Sequence, residues 1–330
     1  MTPRALCAAF IEGNGPSADL FDPAWLRVPA WGESVRRGIM FPGLAASALR
    51  RLTLGRKSFG RALERLGPGL PTGIFSNDEV NRRLAALFSR EGRSNDFRRL
   101  TTRLTLVATH LDSGEAAPFG RPGWDHVPIS KPVQASSALP GLFPPAEIDS
   151  QYYVDGALKK TLHASVALDE GVDLMLCLNP LVPFAIPRLV DGGLPAVLSQ
   201  TFRSMIHSRM ALGMKHYERA YPGTDIVLIE PDHRDPELYL ANTFGYGQRR
   251  QMAEHAYQQT RQLLRSRRTA LAAQLARHGI GLNGAALDDP GRHLAAPTRA
   301  TTRVGRAIVS LQKTMDDLGH TLDAAPGRAP

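Results

Sequence analysis

Apolar positions in this chain group into short, nearly continuous runs separated by longer amphipathic segments. "RLTLVATHL" (103–111), "LMLCLNP" (174–180) and "DIVLIEPD" (225–232) are the clearest runs, and each predicts a strand. Strands buried on both faces read this way in parallel sheets. A helix-length segment, 194–220, lies between the second and third. The alternation of helix and apolar strand predicts an α/β fold with a mainly parallel sheet. Residues 5–12 read as a helix, followed by a Pro/Gly-rich loop carrying Trp25 and Trp31. Residues 44–66 read as a second helix, ended by "GPGLPTG". "SNDEVNRRLAALFSR" carries a capping box, Ser76 at the N-cap and Glu79 three residues on, with Val80, Leu84 and Leu87 as its inward stripe. After residue 236 the pattern is helical, with a loop from Asn283 to Pro297 and a last helix near 299–323. The expected division is an α/β domain over 1–235 and a helical extension over 236–330.

Composition leaves that picture in place. The chain has 330 residues, 43% hydrophobic and 22% charged, as globular proteins do. No apolar run reaches the roughly 18 residues of a membrane span. "MTPRALCAAFIEGNG" has a short apolar patch interrupted by Glu12 and does not read as a signal peptide. Cys7 and Cys177 are far apart, which predicts neither a disulfide framework nor a zinc site. The expected location is cytoplasmic, with or without peripheral membrane contact. Net charge is +9, and arginine dominates the basic residues. Such a field favours anionic surfaces. The densest basic stretch is "RQLLRSRRTALAAQLAR" (261–277). It reads as a solvated helix face or as a helix lying on lipid. No zinc-finger spacing or aromatic RNA-binding signature supports nucleic acid as a partner.

Several motifs fail on context. "GNGPSA" (13–18) matches G-x-G-x-x-A but has no strand leading into it. No P-loop occurs. The ten histidines show no metal-ligand spacing, and His207 and His216, nine apart, do not share a ligand face. "GPSAD" (15–19) resembles a nucleophile elbow, G-x-S-x-G, with Asp19 in place of the last glycine. That position must be tiny because the backbone approaches itself there. Ser17 therefore reads either as an ordinary turn residue or as an irregular nucleophile. "YYVDGALKK" (152–160) leaves two readings of Asp155. Asp-Gly between β-rich stretches is a hairpin signal, and a carboxylate at a strand end can also be a general base.

Four segments taken in order settle which family the chain resembles. They are "LTLVATHLDSGE", "VQASSALPGLFPP", "YVDGAL" and "ASVALDEGVDLMLCL", within residues 104–182. Together they resemble the patatin-like phospholipase family, with His110 where that family usually has Asp. Weaker similarity extends the likeness to roughly 5–280. The resemblance implies a three-layer fold around a mainly parallel sheet. It implies a serine acyl hydrolase of the Ser–Asp dyad type acting on phospholipid or another lipid ester, with no cofactor. By it, Asp155 becomes the proton acceptor and Asp155, Gly156 and Ala157 form the D-G-A motif. Gly156 would let the backbone turn so that the carboxylate faces the cleft. Oxyanion donors would come from a glycine-rich loop near the family's N-terminus.

The same resemblance leaves the nucleophile unplaced. The family's elbow immediately precedes a small-residue helix, and "ALCAAFIEGNG" is similar to that helix. Thr2 is then the closest hydroxyl, without flanking glycines. The sequence is therefore expected to be the C-terminal four-fifths of such a hydrolase, with exposed apolar strand edges at 103–109 and 174–178. The alternative expectation is a catalytically inactive module that binds a lipid or membrane surface.

Overall fold

The computed structural model describes residues 3–12, 28–30, 35, 39, 42–43, 72–160, 162–180, 182–183, 189–235 and 249–294. Ser17, Thr2, the Trp25/Trp31 loop, the expected helix over 44–66 and the last helix near 299–323 lie outside them. The first helix, α1, spans Pro3–Phe10.

Helix α2 spans Asp78–Phe88. Its N-cap is Asn77, one residue later than the capping box predicts, and the box does not form. Asn77 is buried, and its side chain turns inward to donate to the Gln134 carbonyl at 3.0 Å. Ser76 Oγ accepts from the Asp78 N–H, while Glu79 pairs outward with Arg82 and Arg83. Val80 is buried, and Leu84 and Leu87 are half-buried. Tertiary contact at Asn77 has displaced the local cap.

Among the described residues six strands follow, two of them parallel to each other. β1 (Leu106–His110), β2 (Ala116–Phe119), β3 (Ala146–Ile148) and β4 (Gln151–Asp155) form an antiparallel sheet in the order β2-β1-β4-β3. β5 (Leu174–Leu178) and β6 (Asp225–Ile229) pair in parallel. The expected mainly parallel sheet is thus corrected over the described residues. Connection length decides the difference. β1–β2 and β3–β4 are joined by tight links that close only antiparallel pairs. At the second link Asp149 and Ser150 both take left-handed backbone, φ 52° and 60°, as a two-residue hairpin turn requires. β5 and β6 are joined through the 28-residue helix α5 (Gly193–Ala220), long enough for a crossover.

Helix α3 (Ser130–Ser136) covers one face of the antiparallel sheet, with Ala135 fully buried against it. Phe119 sits at the centre of this core, edge-on to both Trp124 and Tyr153 at 5.3 Å. Helix α4 (Ala164–Leu168) and Tyr217 of α5 pack with Met175 and Ile226 of the parallel pair. β1 is paired on both sides, so 103–109 is not an open edge. β5 has one strand neighbour among the described residues, and its Leu176 and Leu178 are exposed.

The C-terminal part contains α6 (Arg249–Ser266), α7 (Arg268–Ala276) and α8 (Gly284–Asp288), the last inside the expected loop. The basic stretch is not simply a solvated face. Arg261 is buried and donates to the carbonyls of Ala286, Leu287, Asp289 and Arg292. Arg268 pairs with Asp288, and Arg267 donates to the Leu228 carbonyl. Arg277 and His278 grip Asp225 at the start of β6, and their hydrogen bonds hold its carboxyl well below the usual carboxylate range. Among the described residues no helix is long and apolar enough to cross a membrane.

Candidate active site

Asp155 ends β4, and backbone contacts fix it on two sides. It faces Ala108 of β1 in the sheet register. Its N–H donates to the Ala138 carbonyl at 3.1 Å, and its carbonyl accepts from Thr109 Oγ1 at 3.1 Å. The chain then enters a 3-10 turn, Gly156–Leu158, rather than a hairpin. The hairpin reading of Asp-Gly is therefore corrected, since the turn that reverses the chain lies at Asp149–Ser150. Asp155 caps the 3-10 turn, and its Oδ1 accepts from the Ala157 N–H at 2.9 Å. Oδ2 accepts from no described residue.

Gly156 serves a purpose other than the expected one. Its backbone is not left-handed, yet an added Cβ would stand 2.4 Å from the Val107 carbonyl oxygen. The missing side chain lets the turn lie against β1, which fixes the Asp155 carboxylate at the end of β4 beside the middle of β1. On its other side, His163 Nε2 donates to the Gly156 carbonyl at 2.9 Å. A carbonyl only accepts, so this bond puts the proton on Nε2. Burial pushes the His163 pKa down and favours that neutral ring, although the Gly156 bond opposes the shift.

The small residues at the end of α3 and just after it bond to the backbone of β1 and β4 beside Asp155. Ala138 is fully buried, and Ser136 Oγ donates to the Val107 carbonyl at 2.9 Å. Ser137 Oγ donates to the Val133 carbonyl at 2.7 Å. Both hydroxyls are thus committed to backbone, and among the described residues none bonds the Asp155 carboxylate. Burial pushes the Asp155 pKa up, with the Ala157 N–H pulling the other way. The result is a carboxylate more basic than usual with one oxygen held and the other open, which suits proton acceptance.

The remaining candidates stand apart. His110 turns toward its own loop, where Nδ1 accepts from the Ser113 N–H at 3.1 Å. His207 lies 3.9 Å from Glu230, and His216 tilts against Tyr217. Cys177 is buried in β5, and Cys7 is half-buried in α1. His163 is a neighbour of Asp155 that sequence reasoning missed, whereas Ala138 lies in the segment "VQASSALPGLFPP" already singled out. Nothing in "KKTLHAS" marks His163 by spacing, since its partner is a backbone carbonyl.

Residues 16–168 match a family model described as patatin-like phospholipase. The matched span takes in Asp155, Gly156, Ala157 and His163.

Proposed function

We propose, from the match of residues 16–168 to a patatin-like phospholipase model, that this chain is a lipid acyl hydrolase in which Asp155 is the proton acceptor of a Ser–Asp dyad. The observation that carries this reading is the Asp155 carboxylate itself, basic through burial, held by Ala157 and open at Oδ2. No G-x-S-x-G occurs between Met1 and Pro330. We assign the nucleophilic serine to such an elbow outside this sequence, in preference to Ser17 or Thr2.

In the proposed reaction the serine Oγ attacks the ester carbonyl carbon as its proton passes to Asp155. Collapse of the tetrahedral adduct breaks the ester C–O bond, and Asp155 returns the proton to the departing alcohol. A water then attacks the acyl-enzyme, giving its proton to Asp155, and the fatty acid leaves as the serine is reprotonated. No cofactor enters these steps. Gly156 and His163 keep the acceptor in place without touching substrate. The substrate is a lipid ester, met in the cytoplasm or at a membrane surface.

The test compares two polypeptides on a p-nitrophenyl acyl ester. The chain from Met1 to Pro330 is expected to be inactive. Extended with a glycine-rich loop and G-x-S-x-G, it is expected to hydrolyse the ester, and Asp155→Asn in that context is expected to cost about 10²–10⁴-fold in kcat. Robust hydrolysis by Met1–Pro330 that survives both Asp155→Asn and Ser17→Ala would sink the proposal.

A further inference from the structure

Away from Asp155, the carboxyl ends of β5 and β6 open into a cleft of about 750 Å³ between α5 and α6. Ligands in open parallel sheets bind in such crevices, and the volume lies in the range of small-molecule sites. None of Asp155, Gly156 and Ala157 lines it. Its walls include Leu178, Pro180, Ile229 and Leu263. Leu178 is 67% exposed, an unusual state for a leucine inside a strand. No aromatic side chain is among the described lining residues, so nothing is placed to stack on a nucleobase.

Charge at the cleft is asymmetric in its commitments. Glu230 accepts from the buried Asn179 side chain at 2.7 Å, and Asp232 accepts from the Arg234 N–H at 2.9 Å. Arg267, by contrast, has no carboxylate partner among the described residues. One of its N–H groups is anchored on the Leu228 carbonyl at 3.0 Å, which orients the guanidinium. An aliphatic wall beside an oriented cation complements an alkyl chain that ends in a carboxylate.

We propose that this cleft binds a long-chain fatty acid, its chain along Leu178, Pro180, Ile229 and Leu263 and its carboxylate on Arg267. That the occupant is the product of this protein's own reaction rests on the acyl-hydrolase reading. The binding chemistry of the cleft does not.

Calorimetric titration of the full chain with oleate, kept below its micelle threshold, tests the proposal, with oleyl alcohol as the uncharged comparator. Saturable one-to-one binding is expected. Leu178→Arg places a charge in the apolar wall and is expected to weaken oleate at least about tenfold. Arg267→Met is expected to weaken oleate about tenfold and oleyl alcohol less than about twofold. Both side chains are exposed, so circular dichroism of the variants is expected to match the parent. Absence of saturable binding, or equal binding by both variants, overturns the proposal. Asp155→Asn is expected to leave oleate binding unchanged. If oleate binds as described while the elbow-extended protein hydrolyses no ester, the hydrolase reading fails and the cleft stands.

Discussion

Gly156 and Val107 meet so closely that a single methyl group on the glycine would stand 2.4 Å from the valine's carbonyl oxygen. The contact joins the turn after β4 to the strand beside it, and both ends are backbone, which cannot swing aside. Gly156→Ala is therefore expected to cost about 1–3 kcal/mol of stability, the range for overpacking. Gly223→Ala, where nothing lies within 4 Å of the added Cβ, serves as the control and is expected to change stability by less than about 0.5 kcal/mol. Urea unfolding of both variants checks the pair. Equal midpoints would show that the turn can move away from β1.

Asp155 is expected to trade stability for chemistry. Its folded pKa is raised, so the folded state holds this proton more tightly than the unfolded chain does. The associated stability is fully present below the ordinary value of 3.8 and is lost as pH rises through the higher folded value. At pH 7 the charged carboxylate is thus a cost. Asp155→Asn, whose Oδ1 can keep the Ala157 bond, is expected to melt at or above the parent's temperature. A clear drop in Tm would mean that the charge is better compensated than the described contacts indicate.

His163 titrates in the opposite sense. Burial lowers its folded pKa below 6.5, so protonation favours the unfolded chain. Its contribution is complete above the unfolded value and is lost as pH falls toward the folded one. Stability measured from pH 7.5 to 5 is expected to decline more steeply in the parent than in His163→Gln. Parallel profiles would remove His163 from the site's pH response.

Arg261 is expected to be the largest single stabiliser of the C-terminal helices. Its guanidinium satisfies the carbonyls of Ala286, Leu287, Asp289 and Arg292 from a buried position. Arg261→Met strips these acceptors of their donor and is expected to cost about 2–4 kcal/mol, given about 1.5–3 for each charged hydrogen bond and partial replacement by water. Lysine, a point charge without the planar fork, is not expected to rescue it. Hydrogen exchange over residues 284–294 reads the effect locally, and unchanged protection there would refute it.

Much of the site was legible in the order of residues. Segments within 104–182 resemble the patatin-like family because close backbone approach demands small residues and Asp-Gly, which leaves a mark in composition. Ala135, Ala138 and Gly156 all sit where a larger side chain would collide or unpack the sheet. The three strands were legible as apolar runs, although continuous apolar sequence did not bring continuous burial, since Leu176 and Leu178 of β5 are exposed.

Direction and partnership were not legible. An apolar run does not say which strand lies beside it; short links made β1–β2 and β3–β4 antiparallel, the crossover through α5 left β5 and β6 parallel, and the β1–β4 pair was set by tertiary contact. The cap of α2 moved to Asn77 because Gln134, far away in sequence, offered its carbonyl. The basic stretch 261–277 looked free because its acceptors are backbone carbonyls and acids from distant segments. Sequence by itself determined where the apolar strand runs and the close-packed small residues fall, because close approach restricts residue type one position at a time. Only the tertiary structure decided which groups meet, because a hydrogen bond to a backbone carbonyl leaves no signature in the residue that supplies it.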